Sequence, residues 1–320
     1  MLVLACMMWG LSFPAIKVLA LLQDEVLPGA GTWFYSASTM VARFAVSAAI
    51  TLGLILASRS AWLPNLRETY QGLGVGLFGG LGMLLQVDGL AHTEASTSAF
   101  LTQGTVFSIP LVRALIDRKF PEWREAILCA VALLGIAILA QFDWHQFRLG
   151  RGEAETLGAA AFFTGHILCL EVPAFRSNDP LKVSLVMFTT IAAICLPMLW
   201  IMGPGLGQAL TLFSSPASLG FLAILIGPCT LLAFLWMNRY QPQVSATTAG
   251  VVYCMEPVFA SMFALGLPVV FSSWSGVNYR NETLTLTLVV GGGLILLANI
   301  LMQWPQKSQD RGSLMNEHGV

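Results

Sequence analysis

Charged side chains are scarce in this chain: Asp, Glu, Lys and Arg make up 10% of its 320 residues, where an ordinary soluble domain carries about 25%. So few charges cannot solvate the surface of a fold this size, and the mean hydropathy of +0.73 agrees. Cysteine is thinly spread too. Cys6, Cys129, Cys169, Cys195, Cys229 and Cys254 all fall in apolar stretches with no CxxC spacing and no paired His. They read as small buried hydrophobes, which excludes a disulfide framework and a cysteine metal centre. The four histidines, His92, His145, His166 and His318, form no HExxH pair and no evident Ser-His dyad, so neither a metal nor a cofactor is expected. A net charge of -1, with no basic run interleaved with aromatics, excludes nucleic acid as a partner.

What the chain has instead is long apolar runs. They cover 2–22, 38–58, 70–91, 96–116, 126–142, 156–175, 183–202, 217–237, 245–270 and 284–303, each near the roughly 20 residues a helix needs to cross about 30 Å of hydrocarbon. Because the runs are continuous rather than alternating in polarity, they predict helices and not the strands of a barrel. The first run lacks a basic leader and a small-residue cleavage site and carries Lys17 inside, so it reads as retained. Its abrupt start leaves open whether a short polar segment precedes Met1. The polar tail 307–320 is expected to be cytoplasmic and disordered, with Trp304 at the membrane interface.

Orientation follows from the basic residues. With the N-terminus in the cytoplasm, eleven of the 16 Lys and Arg residues face inward, Arg148, Arg151 and Arg280 face outward, and Lys17 and Arg43 stay in the membrane. That excess predicts two cytoplasmic termini in a cell membrane. An internal match adds a second level of order. Glu94–Leu101 aligns with Val244–Val251 at an offset of 150, and Leu133–Ala140 with Gly291–Ala298 at 158, the difference being an insertion around Ser272–Asn281. Five spans per half make the second half enter from the opposite side. The expected fold is therefore all-α integral membrane, ten transmembrane helices as two inverted five-helix repeats, 1–147 and 148–306. Secondary transporters use that arrangement to build a midplane site with alternating access.

Several motifs resemble the EamA-type branch of the drug/metabolite transporter superfamily. They are Trp9-Gly10-Leu-Ser-Phe13 with Lys17, Arg43-Phe44, Ala95–Leu101, Gln243–Ala246, Glu256-Pro257-Val-Phe-Ala260, Glu282 and Gly291-Gly-Gly-Leu-Ile-Leu. The resemblance spans nearly the whole chain. It implies ten helices around a central cavity and the movement, often outward, of small metabolites such as amino acids. Amphipathic drug-like compounds are the alternative cargo and an intramembrane enzyme the alternative class. Asp117-Arg118-Lys119 and the insertion before Glu282 depart from the family pattern.

Polarity is costly in lipid, about 2.5–3.5 kcal/mol for a charge at the bilayer centre, so depth ranks the candidate site residues. Glu256 lies near the middle of the ninth run, beside Pro257, and reads either as a substrate or proton-coupling acid or as a structural Glu bonded across the Pro break. His166 is equally deep, as a second titrating group or a neutral imidazole bonded to backbone. Trp9, Ser12, Ser98, Thr102, Gln103, Trp236, Thr248 and Tyr253 suit the lining of a cavity, or interhelical hydrogen bonding. Asp88 and Asn238, related by the 150 offset, are gate candidates or solvated helix ends. Lys17 and Arg43 are expected to snorkel to the outer headgroups. Gly74-Val-Gly-Leu-Phe-Gly79 fits G-x-G-x-x-G, but no strand precedes it, and Gly72, Gly76 and Gly80 instead predict a smooth packing face. Expected partners are a small-molecule substrate, the lipid bilayer, protons as coupling ion, and a second copy in a homodimer.

Overall fold

A computed structural model describes residues 1–58, 63–92, 101–118, 122–139 and 150–304. Every regular element among them is helical: α1 (Leu2–Val26), α2 (Thr32–Ala57), α3 (Leu66–His92), α4 (Thr105–Asp117), α5 (Trp123–Leu139), α6 (Arg151–Glu171), α7 (Pro180–Cys195), α8 (Pro216–Ile226), α9 (Ala233–Tyr240), α10 (Ala246–Tyr253), α11 (Met255–Ala264), α12 (Leu267–Ser275) and α13 (Leu286–Gln303), with shorter turns between. Five spans, Leu2–Val26, Thr32–Ala57, Leu66–Gly89, Pro180–Ile201 and Pro216–Gln243, are long and apolar enough to cross a membrane. The bent pair Ala246–Ala264 and Leu267–Ser275 makes a sixth if counted as one span. Large apolar side chains such as Leu54, Phe107, Leu115, Leu286 and Val289 cover the outside. Such a surface needs hydrocarbon as its solvent.

Helix starts follow local chemistry. Asn65 caps α3, its side chain accepting from the Glu68 amide at 2.9 Å while Glu68 Oε2 accepts from the Asn65 amide at 2.7 Å, a reciprocal box that satisfies two amides the helix leaves free. Pro180 and Pro216 open α7 and α8 at positions where a missing amide costs nothing.

The core forms where distant stretches of the chain interleave. α3 lies against both α6 and α7, α2 against α7, α1 against α11, and α5 against α13. The glycine face predicted on α3 is there: a Cβ on Gly72 would stand 2.5 Å from Val186 Cβ, and one on Gly76 2.7 Å from Thr190 Cβ. The bare backbone of α3 thus rests directly on α7.

Two apolar runs are interrupted, the eighth without a signal read from the sequence and the ninth at the break expected beside Pro257. In the eighth, Gly227–Leu232 forms a π-helical turn between α8 and α9. Pro228 has no amide to donate and Thr230 Oγ1 bonds back to the Leu225 carbonyl at 2.7 Å, so the ladder widens there. In the ninth, Pro257 cannot donate to the Tyr253 carbonyl, and the helix breaks at Cys254 before restarting as α11. A further bend of 60° separates α11 from α12.

Candidate functional site

Two deep charged groups, Arg43 and Glu256, lie at the interrupted runs. Arg43 is 5% exposed and reaches across from α2 into the π-helical turn. Its Nε donates to Thr230 Oγ1, and its Nη2 to the Cys229 carbonyl at 2.8 Å. The expectation that Arg43 snorkels to the headgroups is therefore corrected. The widened turn offers buried acceptors that the sequence alone does not reveal, and five donors on a planar guanidinium suit them. Lys17, by contrast, is exposed and lies 5.1 Å above the Tyr279 ring.

Glu256 occupies the first turn of α11, just past the break at Cys254. Its carboxylate and the Arg43 guanidinium lie within electrostatic reach of each other. Arg43 nevertheless spends its described hydrogen bonds on α8–α9 rather than on Glu256. The helix that carries Glu256 comes down onto α1 at Gly10, where a Cβ would stand 2.7 Å from Phe259 Cβ and 2.8 Å from the Ala260 nitrogen. A larger residue at position 10 would push Glu256 away from the centre.

An aromatic cluster packs between α1, α2, α7, α9 and α10. The Trp9 ring lies 5.3 Å from Phe234 and 5.5 Å from Tyr253, and Phe234 continues to Phe44 at 6.0 Å and Phe188 at 6.2 Å. Trp9 Nε1 is buried with no acceptor. Tyr253 donates to Gln241 Oε1 at 2.7 Å, and Gln241 Nε2 donates to the Ile167 carbonyl at 2.7 Å. That chain ties α10 to α6.

The other expected residues scatter. His166 is buried on α6 with Nδ1 2.9 Å from the Val75 carbonyl, which fixes the proton on Nδ1 and leaves Nε2 without a partner. Ser12 bonds the Trp9 carbonyl within α1 at 2.6 Å. Thr102 accepts from Gln86 at 3.3 Å, and Gln103 is buried beside it in the turn before α4. Trp236 is half-buried on α9. Thr248 meets the Ser245 cap that starts α10, its hydroxyl 2.9 Å from Ser245 Oγ. Ser98 lies outside the described residues. Asn238 donates to Ser184 at 2.7 Å and is 4% exposed, while Asp88 is 1% exposed and pairs with Arg151 at 2.5 Å. Neither is a solvated helix end. Arg43 with its π-helical turn is the feature that sequence reasoning missed; the signal for it was Pro228 inside an apolar run, which leaves carbonyls in need of a donor.

The chain is similar to known proteins over much of its length. Residues 1–141 match the EamA-like transporter family. Over 303 residues the chain is 23% identical to an uncharacterized transporter of Archaeoglobus fulgidus, covering 94% of this chain and 84% of that protein. A crystal structure of a protein shares the fold with a TM-score of 0.64 at 16% identity, over 91% of this chain and 95% of the other.

Proposed function

We propose that this chain, a multi-pass membrane protein, is an EamA-type transporter of the drug/metabolite transporter superfamily, as its similarity to that family over residues 1–141 and to an uncharacterized transporter supports, and that it exports small polar metabolites such as amino acids by alternating access. Glu256 is the acid that binds the substrate or couples its movement to protons. The observation that carries the reading is Glu256 at a helix break, within electrostatic reach of a buried Arg43 whose described hydrogen bonds go elsewhere. An ammonium group on the solute and a proton would then compete for one carboxylate, and that competition is exchange. A carboxylate on the same solute would face Arg43. His166, with its unpartnered Nε2, is the second candidate for titration.

The packing supports ten spans in two inverted repeats, 1–147 and 148–306. α2 pairs with α7 and α5 with α13, and both pairs map onto themselves when the second and seventh, and the fifth and tenth, spans are exchanged. Likewise α3 on α6 is matched by α8 and α9 on α1. Motion between such interleaved repeats opens a midplane site first to one side and then to the other. The excess of Lys and Arg in alternate loops supports cytoplasmic termini in a cell membrane, and a homodimer belongs to the same reading.

Flux of radiolabelled amino acids into proteoliposomes under an imposed pH gradient tests the assignment. Glu256→Gln keeps the shape of the side chain and removes its proton, so the variant inserts and folds but loses gradient-driven flux. Undiminished flux with the wild-type pH dependence refutes it.

A further inference from the structure

Away from Glu256, the end of α3 and the start of α6 bring together Asp88, His92, Arg151 and Glu155. Arg151 holds one oxygen of each carboxylate, Nη2 to Asp88 Oδ2 at 2.5 Å and Nε to Glu155 Oε1 at 2.7 Å. The opposite oxygens, Asp88 Oδ1 and Glu155 Oε2, are shut off from solvent and accept no hydrogen bond from the described residues. His92 Nδ1 stands 3.7 Å from Asp88 Oδ1, beyond hydrogen-bond reach, because it is engaged with the Asp88 carbonyl oxygen at 2.9 Å. The Asp88 side chain is 1% exposed. Burial of a charged acceptor with no donor is unfavourable, and Arg151, which reaches one oxygen of each carboxylate, leaves the other unsatisfied, a need that a bound cation would meet.

We propose that Asp88, His92 and Glu155 form a binding site for a first-row divalent cation, for which zinc is the best-suited ion. One ligand atom from each residue lies within 4.8 Å of the others. Two carboxylate oxygens and one imidazole nitrogen make a ligand set that zinc accepts, with a fourth position for water, whereas magnesium and calcium favour oxygen alone. Arg151 does not compete for the ion. It grips the far oxygen of each carboxylate and so fixes the direction of the near one, the usual part of an outer-shell partner. Two zinc ligands at about 2.0–2.1 Å in tetrahedral array stand about 3.3 Å apart, so the group must contract slightly on binding. His92 supplies that movement: its side chain is 38% exposed and gives up one backbone contact to turn toward the carboxylates. The sequence predicted no metal because the i,i+4 pair Asp88 and His92 is common on helices without an ion, and the third ligand, Glu155, comes from a separate helix.

Zinc chloride titrated into the tag-free, detergent-purified full chain by calorimetry tests the site, with magnesium and calcium chloride as controls. One zinc binds per chain, magnesium and calcium do not, and the melting temperature rises with zinc. His92→Ala leaves the Asp88–Arg151 pair intact and so keeps the fold. It weakens zinc binding by at least about tenfold, as does Glu155→Gln, since loss of a ligand costs no less than the roughly 10- to 100-fold typical of the residues that support one. Cobalt as a spectroscopic probe gives visible ligand-field bands that both variants lose. Absence of saturable zinc binding overturns the proposal. So does binding whose affinity is unchanged in either variant, as ligation by His145 or His318 would give. Neither readout depends on the transported solute.

Discussion

Gly291→Ala, one methyl group on α13, is expected to damage this fold where the same change two residues later does not. A Cβ at position 291 would lie 2.5 Å from the Gly135 carbonyl oxygen, 2.6 Å from the Leu139 nitrogen and 2.8 Å from Leu139 Cβ. Two of those three atoms are backbone, so no rotamer change relieves the contact. Ordinary carbon contacts lie at about 3.5–4.0 Å, and a gap of 0.5–1 Å already forfeits about a quarter to a half of each dispersion well. α5 and α13 must therefore separate by about 1 Å and lose close packing along their shared face. Overpacking of this kind costs about 1–3 kcal/mol. Position 293 meets nothing within 4 Å, so Gly293→Ala is the control, near neutral by the same reasoning. Position 135 lies opposite, where a Cβ would meet the Gly291 carbonyl oxygen at 2.8 Å, so the Gly135→Ala and Gly291→Ala penalties are not additive, since the first separation relieves the second. Unfolding by SDS titration in mixed micelles, with thermal melting in detergent as a second readout, measures the wild type, the three single variants and the Gly135→Ala/Gly291→Ala double variant. Gly291→Ala melting with Gly293→Ala would refute the claim that backbone contact sets the spacing of α5 and α13.

Gly76→Leu drives a side chain into Thr190 and the Met187 carbonyl and is expected to lower expression and thermal stability, again by about 1–3 kcal/mol or more; wild-type melting would mean that this face of α3 does not carry α7. Arg43→Met strips the donor from the buried Cys229 carbonyl and Thr230, a loss of about 1.5–3 kcal/mol for a charged hydrogen bond. Arg43→Lys recovers little of that stability, because one ammonium cannot reproduce the fork, and a full rescue in thermal melting counts against the geometry. For topology, Leu63→Cys is shielded from an impermeant thiol reagent in intact cells while Asn278→Cys, in the loop before α13, is labelled; the reverse pattern inverts the orientation.

Hydropathy and spacing alone determined that this chain is helical and built for lipid, because the energetic demand of the bilayer is written residue by residue as runs of apolar side chains. The same local grammar located Gly72, Gly76 and Gly80 as a packing face and Pro257 as a break, since each acts on its own turn of helix. Depth along a run singled out Glu256 and His166. It could not say what they touch, because contacts depend on how each helix is rotated and on which distant helix it meets. Arg43 looked like an anchor for headgroups until α2 was set against α8, 186 residues on, with its widened turn and waiting carbonyl. Asp88 looked like a helix end until α6 brought Arg151 and Glu155 to it. Thr248 read as cavity lining, and its hydroxyl meets the cap of its own helix. Burial and pairing are properties of two surfaces at once, so only the packed array decided which polar residues share a site.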